Sequence, residues 1–192
     1  MNLANKITLA RIFLVPIMMI FLLIRVNLEP LTIGDYSISY NQIMAALIFI
    51  IAASTDGLDG YIARKNKIVT NLGKLLDPLA DKLLVAAVLI SLVEMGKLDA
   101  LVAIIIISRE FAITGLRQIA LLEGKVLAAS KWGKWKTGVQ ITMIIALLLN
   151  NFPFTFIDLR FDLISVWAAA LITIYSGIDY FVKNKNIIPI SE

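Results

Sequence analysis

The sequence contains no cysteine and no histidine among its 192 residues. The first absence excludes a disulfide framework and a thiolate nucleophile, and the second excludes a histidine base and any histidine metal site. Charged residues are also scarce, at 17% of the chain against about 25% in a typical soluble domain. Any chemistry must therefore use carboxylates, lysine, arginine, hydroxyl groups and the backbone.

Hydrophobic residues are in excess, because they make up 59% of the chain and run in long blocks. A helix needs about 20 mostly apolar residues to cross a bilayer, so these blocks predict an all-α integral membrane protein. We count six candidate transmembrane helices in a single domain that covers residues 1–192. They run approximately over Leu9–Val26, Ile43–Ala63, Asp77–Met95, Leu98–Ile119, Thr137–Phe152 and Leu163–Val182.

Lysine and arginine are unevenly distributed between the two ends of these spans. Most lie at the N-terminus, in the second-to-third and fourth-to-fifth connections, and in the C-terminal tail, whereas the opposite side has Arg25, Lys97 and Arg160. Cytoplasmic segments of membrane proteins carry the excess of positive charge. The distribution therefore predicts a multi-pass protein of the cytoplasmic membrane with both termini in the cytoplasm.

Four aspartates lie in the second and third spans. Asp56 and Asp59 are three residues apart and Asp77 and Asp81 are four apart, so each pair shares one helix face. Charges inside a membrane are costly, and four facing carboxylates would repel each other unless a cation lay between them. Oxygen ligands suit Mg²⁺ or Mn²⁺, and two such ions can clamp a phosphoryl group. The spacing suggests phosphoryl transfer at a membrane surface.

Structural explanations for the individual aspartates stay open at this point. Asp77 precedes Pro78 and could cap the start of a helix, and Asp56 could reach water from a helix end. The remaining alternatives are ion pairs of Asp59 or Asp81 with Arg64 or Lys82.

A different class of function would also place carboxylates in membrane helices. Ion and proton carriers use such groups along their transport path. The four aspartates, however, lie near one end of their helices, and no inverted repeat is evident in the sequence. A structural scaffold is a further alternative, but it leaves the four aspartates unexplained.

The residues around the aspartates follow a longer pattern. The chain reads D-G-L-D-G-Y-I-A-R from Asp56 to Arg64 and, eight residues later, G-K-L-L-D-P-L-A-D from Gly73 to Asp81. This resembles the signature of the CDP-alcohol phosphotransferase family, which is D-x-x-D-G-x-x-A-R followed by G-x-x-x-D-x-x-x-D. Every fixed position matches, as does the length of the spacer. The six-span layout agrees as well, so the resemblance implies the fold of that family and an active site that faces the cytoplasm.

Members of that family displace CMP from a CDP-linked lipid with an alcohol, and the resemblance implies roles for the matching residues. Asp56, Asp59 and Asp77 look like ligands of two divalent ions, Mg²⁺ or Mn²⁺. Asp81 looks like a metal ligand that also acts as the base for the acceptor hydroxyl. The residues that resemble contacts to CDP-diacylglycerol are Asn5, Thr8, Arg11, Gly60, Arg64, Thr70 and Gly73.

The N-terminal part of that set also has a physical rationale of its own. Asn5, Thr8 and Arg11 are spaced to share one helix face, and their amide, hydroxyl and guanidinium groups can all donate to phosphate oxygens. The alternative is a helix cap followed by an arginine that reaches the membrane surface.

Polar residues of the fourth span and of the fourth-to-fifth connection are candidates for binding the acceptor alcohol. Arg109 and Arg117 are eight residues apart and lie on nearly one helix face, which suggests an acceptor that carries a phosphate. Attraction to anionic lipid is enough to explain lysines at a membrane surface. It does not explain Arg109, which lies beside Glu110 in an apolar helix and needs a polar cavity. The lysines expected to share the acceptor phosphate are Lys131, Lys134 and Lys136.

The segment from Arg109 to Arg117, together with Lys134-Trp-Lys136-Thr137, resembles the bacterial branch of that family whose acceptor is sn-glycerol 3-phosphate. That branch produces phosphatidylglycerophosphate and CMP, whereas sister branches use inositol phosphate, serine, choline or phosphatidylglycerol. The expected partners are therefore CDP-diacylglycerol, glycerol 3-phosphate and membrane lipids. Family analogy adds a homodimer, and no nucleic acid is expected.

Overall fold

A computed structural model describes residues 3–24, 29–34, 36–65, 71–122, 124, 125, 127 and 130–185. For residues 3–5, 56–65, 71–78, 122 and 131 it describes the backbone alone. Six α-helices account for most of these described residues, as the sequence predicts. They are α1 (Leu3–Leu23), α2 (Tyr40–Lys65), α3 (Asn71–Glu94), α4 (Ala100–Leu122), α5 (Lys131–Leu148) and α6 (Phe161–Lys183).

Three helices begin about six residues earlier than the sequence predicts, and the first of them is α1, which begins at Leu3 rather than near Leu9. α5 begins at Lys131 rather than near Thr137. The prediction placed its start too late because the first turns of α5 carry lysines, which are typical of a loop in a membrane protein. α3 begins at Asn71 rather than near Asp77. The helix has therefore made nearly two turns before Asp77 and Pro78, and the interpretation of Asp77 as the cap of a helix start is wrong.

A short hairpin between α1 and α2 was not predicted. Its strands, β1 (Leu31–Ile33) and β2 (Tyr36–Ile38), are antiparallel, with Leu31 opposite Ile38 and Ile33 opposite Tyr36. Tyr36 and Ile38 are buried while Ser37 between them is exposed, which is the alternation of a strand with one covered face. The all-α prediction is right for the bundle but misses this element.

The main apolar cluster in the interior of the bundle receives side chains from all six helices. Met18, Phe49, Leu84, Ile106 and Met143 lie in it, and none of them is more than 2% exposed. α1 packs on α2 and α3, α6 packs on α4 and α5, and α3 also contacts α4 and α5. Lipid tails are as apolar as these side chains, so close packing rather than transfer from water holds such helices together in a bilayer.

Large apolar side chains also cover the outside of the bundle. Phe13, Leu101 and Trp167 are 60–69% exposed, and a soluble protein rarely presents so much apolar surface to water. Within the described residues, two helical segments are long and apolar enough to cross a membrane, Lys6–Leu23 and Phe161–Lys183. These observations indicate a membrane protein.

Amide side chains close the end of the bundle next to the hairpin. The side-chain oxygen of Asn150 accepts a hydrogen bond from the Lys97 ammonium. Asn151 donates to the carbonyl of Leu159 at 2.7 Å and accepts from the backbone N–H of Asp162 at 2.9 Å. Because the two asparagines follow α5 directly, these bonds fix the connection between α5 and α6.

Candidate active site

Asp81 lies in the first half of α3 and lines a small cavity of about 40 Å³ inside the bundle. α1 contributes Arg11 to this cavity, and α5 contributes Thr137 and Gln140. Arg11 is 1% exposed, and Thr8, one turn before it, is fully buried. The structure therefore brings the predicted base and a predicted phosphate-binding arginine to one cavity, although the sequence separates them by 70 residues.

The other three predicted metal ligands lie where the structure describes the backbone alone. Asp56 and Asp59 belong to the last turns of α2, and Asp77 lies one turn before Asp81 on α3. α2 ends at Lys65 and α3 begins at Asn71, so both pairs lie on helix ends that flank one short connection.

The chemistry of this donor set fits a hard divalent ion, because its four side chains offer carboxylate oxygens alone. Among the residues whose side chains are described, no three His, Cys, Asp or Glu residues form a group that could hold a metal. The assignment of the four aspartates to a metal centre stays a prediction.

A second group of charged side chains surrounds Glu110 on α4. One carboxylate oxygen of Glu110 accepts hydrogen bonds from Arg109 Nη1, at 3.1 Å, and from Lys136 Nζ of α5. The side chains of Arg109, Glu110 and Lys136 are 12%, 18% and 4% exposed, so these charges are largely removed from solvent. Lys136 is also attracted by Asp81, which connects this group to the cavity described above.

α6 holds the two arginines of α4 from the other side. Arg109 Nη2 donates to Ser176 Oγ at 2.6 Å, and Arg117 Nε donates to the Tyr180 hydroxyl at 3.0 Å. The guanidinium of Arg117 also lies over the Tyr180 ring, 5.4 Å from its centroid. We call Arg109, Arg117, Lys136 and their counter-ion Glu110 the cationic cluster. Its three positive charges and one negative charge give a net charge of +2.

The structure thus brings together only some of the residues that were predicted to bind the acceptor phosphate. Lys134 is exposed and lines a groove of about 570 Å³ between α5 and α6, together with Trp135 and Phe161. It precedes Lys136 by two residues, and two residues turn an α-helix by roughly half a revolution, so the two lysines face different sides. The predicted residues outside the described side chains are Asn5, Gly60, Arg64, Thr70, Gly73 and Lys131.

Sequence reasoning missed the residues of α6 in this site. Ser176 and Tyr180 are 0% and 2% exposed, and they are four residues apart on an otherwise apolar helix. Two buried polar side chains one turn apart are a signal that a polar partner faces that side of the helix. The signal does not identify the partner, because α4 and α6 are not consecutive along the chain.

Comparison with known proteins agrees with this arrangement. The sequence model of the family described as CDP-alcohol phosphatidyltransferase matches residues 1–175. A protein of Bacillus subtilis (strain 168) is 51% identical over 191 residues, which cover 100% of this chain and 99% of that protein. It is named CDP-diacylglycerol–glycerol-3-phosphate 3-phosphatidyltransferase.

Two further relatives carry the same name. One from Rickettsia bellii (strain RML369-C) is 37% identical over 187 residues, with 96% of each chain covered. One from Haemophilus influenzae (strain ATCC 51907 / DSM 11121 / KW20 / Rd) is 37% identical over 191 residues, covering 96% of this chain and 94% of that protein.

Proposed function

This chain belongs to the CDP-alcohol phosphatidyltransferase family, and we propose that it transfers the phosphatidyl group of CDP-diacylglycerol to sn-glycerol 3-phosphate. The products are phosphatidylglycerophosphate and CMP, so the chain is an enzyme of phospholipid biosynthesis. The relatives from Bacillus subtilis and Rickettsia bellii are named for this reaction and align with nearly the whole chain. The observation that carries the choice of acceptor is the cationic cluster.

A phosphate monoester suits this cluster by charge and by geometry. It carries close to two negative charges at neutral pH, which match the net charge of +2. Arginine binds phosphate oxygens through two parallel N–H donors, and the cluster holds two arginines. Serine and choline carry no phosphate that could neutralise the cluster, so its charge favours glycerol 3-phosphate over them. Inositol phosphate does carry one and must be separated by experiment.

The proposed reaction begins with the hydroxyl group of glycerol 3-phosphate. Asp81 accepts its proton, and the oxygen forms a bond to the phosphorus that bears the diacylglycerol. The bond between that phosphorus and the CMP oxygen breaks, and CMP leaves. Asp56, Asp59, Asp77 and Asp81 would hold two divalent ions, Mg²⁺ or Mn²⁺, which when bound neutralise the diphosphate and the charge that develops on it.

The arrangement of α1 supports a role in binding the CDP-lipid. Thr8 and Arg11 are buried on one face of α1, and Arg11 lines the cavity of Asp81. A guanidinium beside the reacting centre can donate to the diphosphate and hold it in line with the incoming oxygen. The full proposed set of CDP-diacylglycerol contacts is Asn5, Thr8, Arg11, Gly60, Arg64, Thr70 and Gly73.

The proposal includes the placement of the protein in the membrane. All six helices cross the bilayer as one catalytic domain, both termini are cytoplasmic, and the active site faces the cytoplasm. The excess of lysine and arginine at the corresponding helix ends supports this orientation. Lys131 and Lys134 then lie at the cytoplasmic surface near the acceptor site, and the enzyme works as a homodimer surrounded by lipid.

One assay tests the reaction and the acceptor together. The purified protein receives CDP-diacylglycerol, Mg²⁺ and one candidate alcohol at a time, and CMP release and the lipid product are measured. We expect turnover with glycerol 3-phosphate and at least tenfold less with inositol phosphate, serine, choline or phosphatidylglycerol. A preference for any of these four would contradict the acceptor assignment, while keeping the family chemistry.

Removal of the metal distinguishes the proposed enzyme from the alternative function, an ion or proton carrier. Chelation of divalent ions should stop CMP release, and addition of Mg²⁺ or Mn²⁺ should restore it. Uptake of an ion into vesicles without any CMP release from CDP-diacylglycerol would support the carrier and contradict the enzyme.

A further inference from the structure

We propose that α6 determines the specificity of the enzyme for its acceptor, because Ser176 and Tyr180 set the positions of the two arginines that bind the acceptor phosphate. This inference rests on the proposed function. Ser176 and Tyr180 act here as positioning residues, because their hydroxyl groups accept hydrogen bonds from Arg109 and Arg117.

The two arginines lie far apart along α4 but bond to side chains that are only one turn apart on α6. Arg109 and Arg117 are eight residues apart, which corresponds to about 12 Å along the axis of α4. Their partners Ser176 and Tyr180 are four residues apart, or about 6 Å along α6. Each guanidinium bonds to its own partner on α6, and the two arginines are near enough for Arg117 to repel Arg109 electrostatically. A phosphate that binds between them can accept hydrogen bonds from both guanidiniums.

The grouping of these positive charges is unfavourable in the absence of an anion. Arg117 repels Arg109 electrostatically, and Lys136 adds a third positive charge that shares the carboxylate of Glu110 with Arg109. Arg109 Nε is buried and has no hydrogen-bond partner among the described residues. A buried donor without a partner and unbalanced like charges are both relieved when a phosphate binds.

A glycine of α6 leaves room for the Arg109 side chain. A Cβ atom added to Gly177 of α6 would lie 3.3 Å from Arg109 Cγ, so the glycine allows the side chain to pass α6 closely and reach Ser176. The surface of α6 is thus shaped around this arginine.

Tyr180 restrains Arg117 in a second way. Its hydroxyl accepts the hydrogen bond from Nε, and its ring lies under the guanidinium. Together the two contacts fix the plane of the guanidinium, and bidentate binding of phosphate requires a defined plane. Loss of the hydroxyl would leave the ring in place but free Arg117 to turn.

The experiment compares matched substitutions on one helix of the full-length protein. Ser176→Ala and Tyr180→Phe remove the two hydroxyls that hold the arginines. Ser165→Ala and Tyr175→Phe are the controls, because the Ser165 hydroxyl donates to a carbonyl of its own helix and Tyr175 is exposed with its ring against Trp132. Steady-state kinetics then give KM for glycerol 3-phosphate and for CDP-diacylglycerol.

We expect KM for glycerol 3-phosphate to rise about tenfold in Ser176→Ala and in Tyr180→Phe, which corresponds to the loss of one hydrogen bond to a charged group. KM for CDP-diacylglycerol and kcat at saturating acceptor should stay within about twofold of the unaltered enzyme. Both controls should match the unaltered enzyme in all three constants. A general loss of structure would change the constants of both substrates, so this split distinguishes positioning from folding.

A third pair tests the shape of α6 without removing a hydrogen-bonding group. Gly177→Ala should raise KM for glycerol 3-phosphate by displacing Arg109, whereas Gly115→Ala on α4 meets no atom within 4 Å and should leave it unchanged. An unchanged acceptor KM in Ser176→Ala and Tyr180→Phe, or an equal rise for both substrates, would overturn the role of α6.

Failure of the proposed function would be recognised separately. If the unaltered protein turns over no glycerol 3-phosphate, the proposed function is wrong, and equilibrium binding of inorganic phosphate to the same variants still tests α6. Ser176→Ala and Tyr180→Phe should then bind phosphate about tenfold more weakly than the two controls. Equal binding by all variants, or no binding by the unaltered protein, would overturn the inference.

Discussion

The two ends of the helical bundle both bury polar side chains, but those side chains have different kinds of partner. At the hairpin end, the side-chain oxygen of Asn150 accepts from Lys97 and from Gln42, and its nitrogen donates to the carbonyl of Ser37. Asn151 is likewise bonded through both atoms of its amide. The partners are largely backbone groups, so these amides fix the path of the chain.

The opposite end concentrates like charges instead. Arg109 and Lys136 share the carboxylate of Glu110, Arg117 bonds to the neutral hydroxyl of Tyr180, and one nitrogen of Arg109 has no partner among the described residues. Such an arrangement costs stability unless a ligand completes it. The comparison teaches that buried polarity alone does not identify a functional site, and that unbalanced charge with unused donors does.

The largest expected difference between the two ends concerns the reaction itself. Asp81→Asn removes the proposed base and one metal ligand, and we expect CMP release to fall by about 100- to 10,000-fold while the protein stays folded. Measurement of initial rates together with the thermal unfolding midpoint checks both parts. Turnover close to that of the unaltered protein would show that Asp81 is not the base.

The second prediction concerns stability within the cationic cluster. Glu110→Gln leaves Lys136 charged and without its carboxylate in an interior position, which should cost about 3–5 kcal/mol. This corresponds to a decrease of the unfolding midpoint on the order of 10 °C in detergent. The double substitution Glu110→Gln, Lys136→Met should be less destabilised than Glu110→Gln alone, because it leaves no unpaired lysine.

An exposed ion pair at the hairpin end provides the control for that substitution. Arg160 bonds to Asp162 at 3.1 Å in a solvent-exposed position, and exposed pairs contribute little to stability. Arg160→Gln should therefore leave the unfolding midpoint nearly unchanged. Equal effects of Arg160→Gln and Glu110→Gln would remove the contrast between the two ends.

The third prediction separates stability from activity at the hairpin end. Asn151→Ala removes two hydrogen bonds, to the carbonyl of Leu159 and from the N–H of Asp162, and should cost about 1–3 kcal/mol. The cationic cluster lies at the other end, so KM for glycerol 3-phosphate should not change. Kinetics per folded molecule and thermal unfolding of the same sample check this, and a raised acceptor KM would show that the ends are coupled.

Part of this contrast could be predicted from the sequence. The spacing of Asp56, Asp59, Asp77 and Asp81 indicates the family, and the long apolar runs indicate the helices. Charges in apolar helices are rare enough that Arg109 stands out without any structure. These features are local in the chain, and local patterns are what a sequence displays directly.

The rest depends on contacts between helices that are distant in the sequence. Ser176 and Tyr180 are ordinary residues of an apolar helix until α6 packs beside α4. Lys134 and Lys136 look equivalent in the sequence, yet the register of α5 turns only Lys136 towards Glu110. The start of α5 was missed for a related reason, because its lysines resemble a loop until the structure shows that one of them is buried.

The smallest expected effect concerns Lys97, the one lysine whose ammonium bonds to Asn150 at the hairpin end. It lies between α3 and α4, where it donates to Asn150 and, at 3.1 Å, to the carbonyl of Leu147. Burial lowers the pKa of Lys97 from 10.5 to about 8. The unfolded chain therefore holds this proton more tightly than the folded protein does, and stability should increase as the pH rises from about 8 to about 10.5. Between about pH 7.5 and 9 the gain should be about 1 kcal/mol.

Unfolding of the unaltered protein and of Lys97→Met at both pH values isolates this contribution, because the other lysines titrate alike in the two proteins. The gain in stability should be smaller by that amount in Lys97→Met. An identical pH dependence in both proteins would contradict the prediction. It would show that the ammonium of Lys97 is as well solvated as that of a surface lysine and that the hairpin end does not bury it.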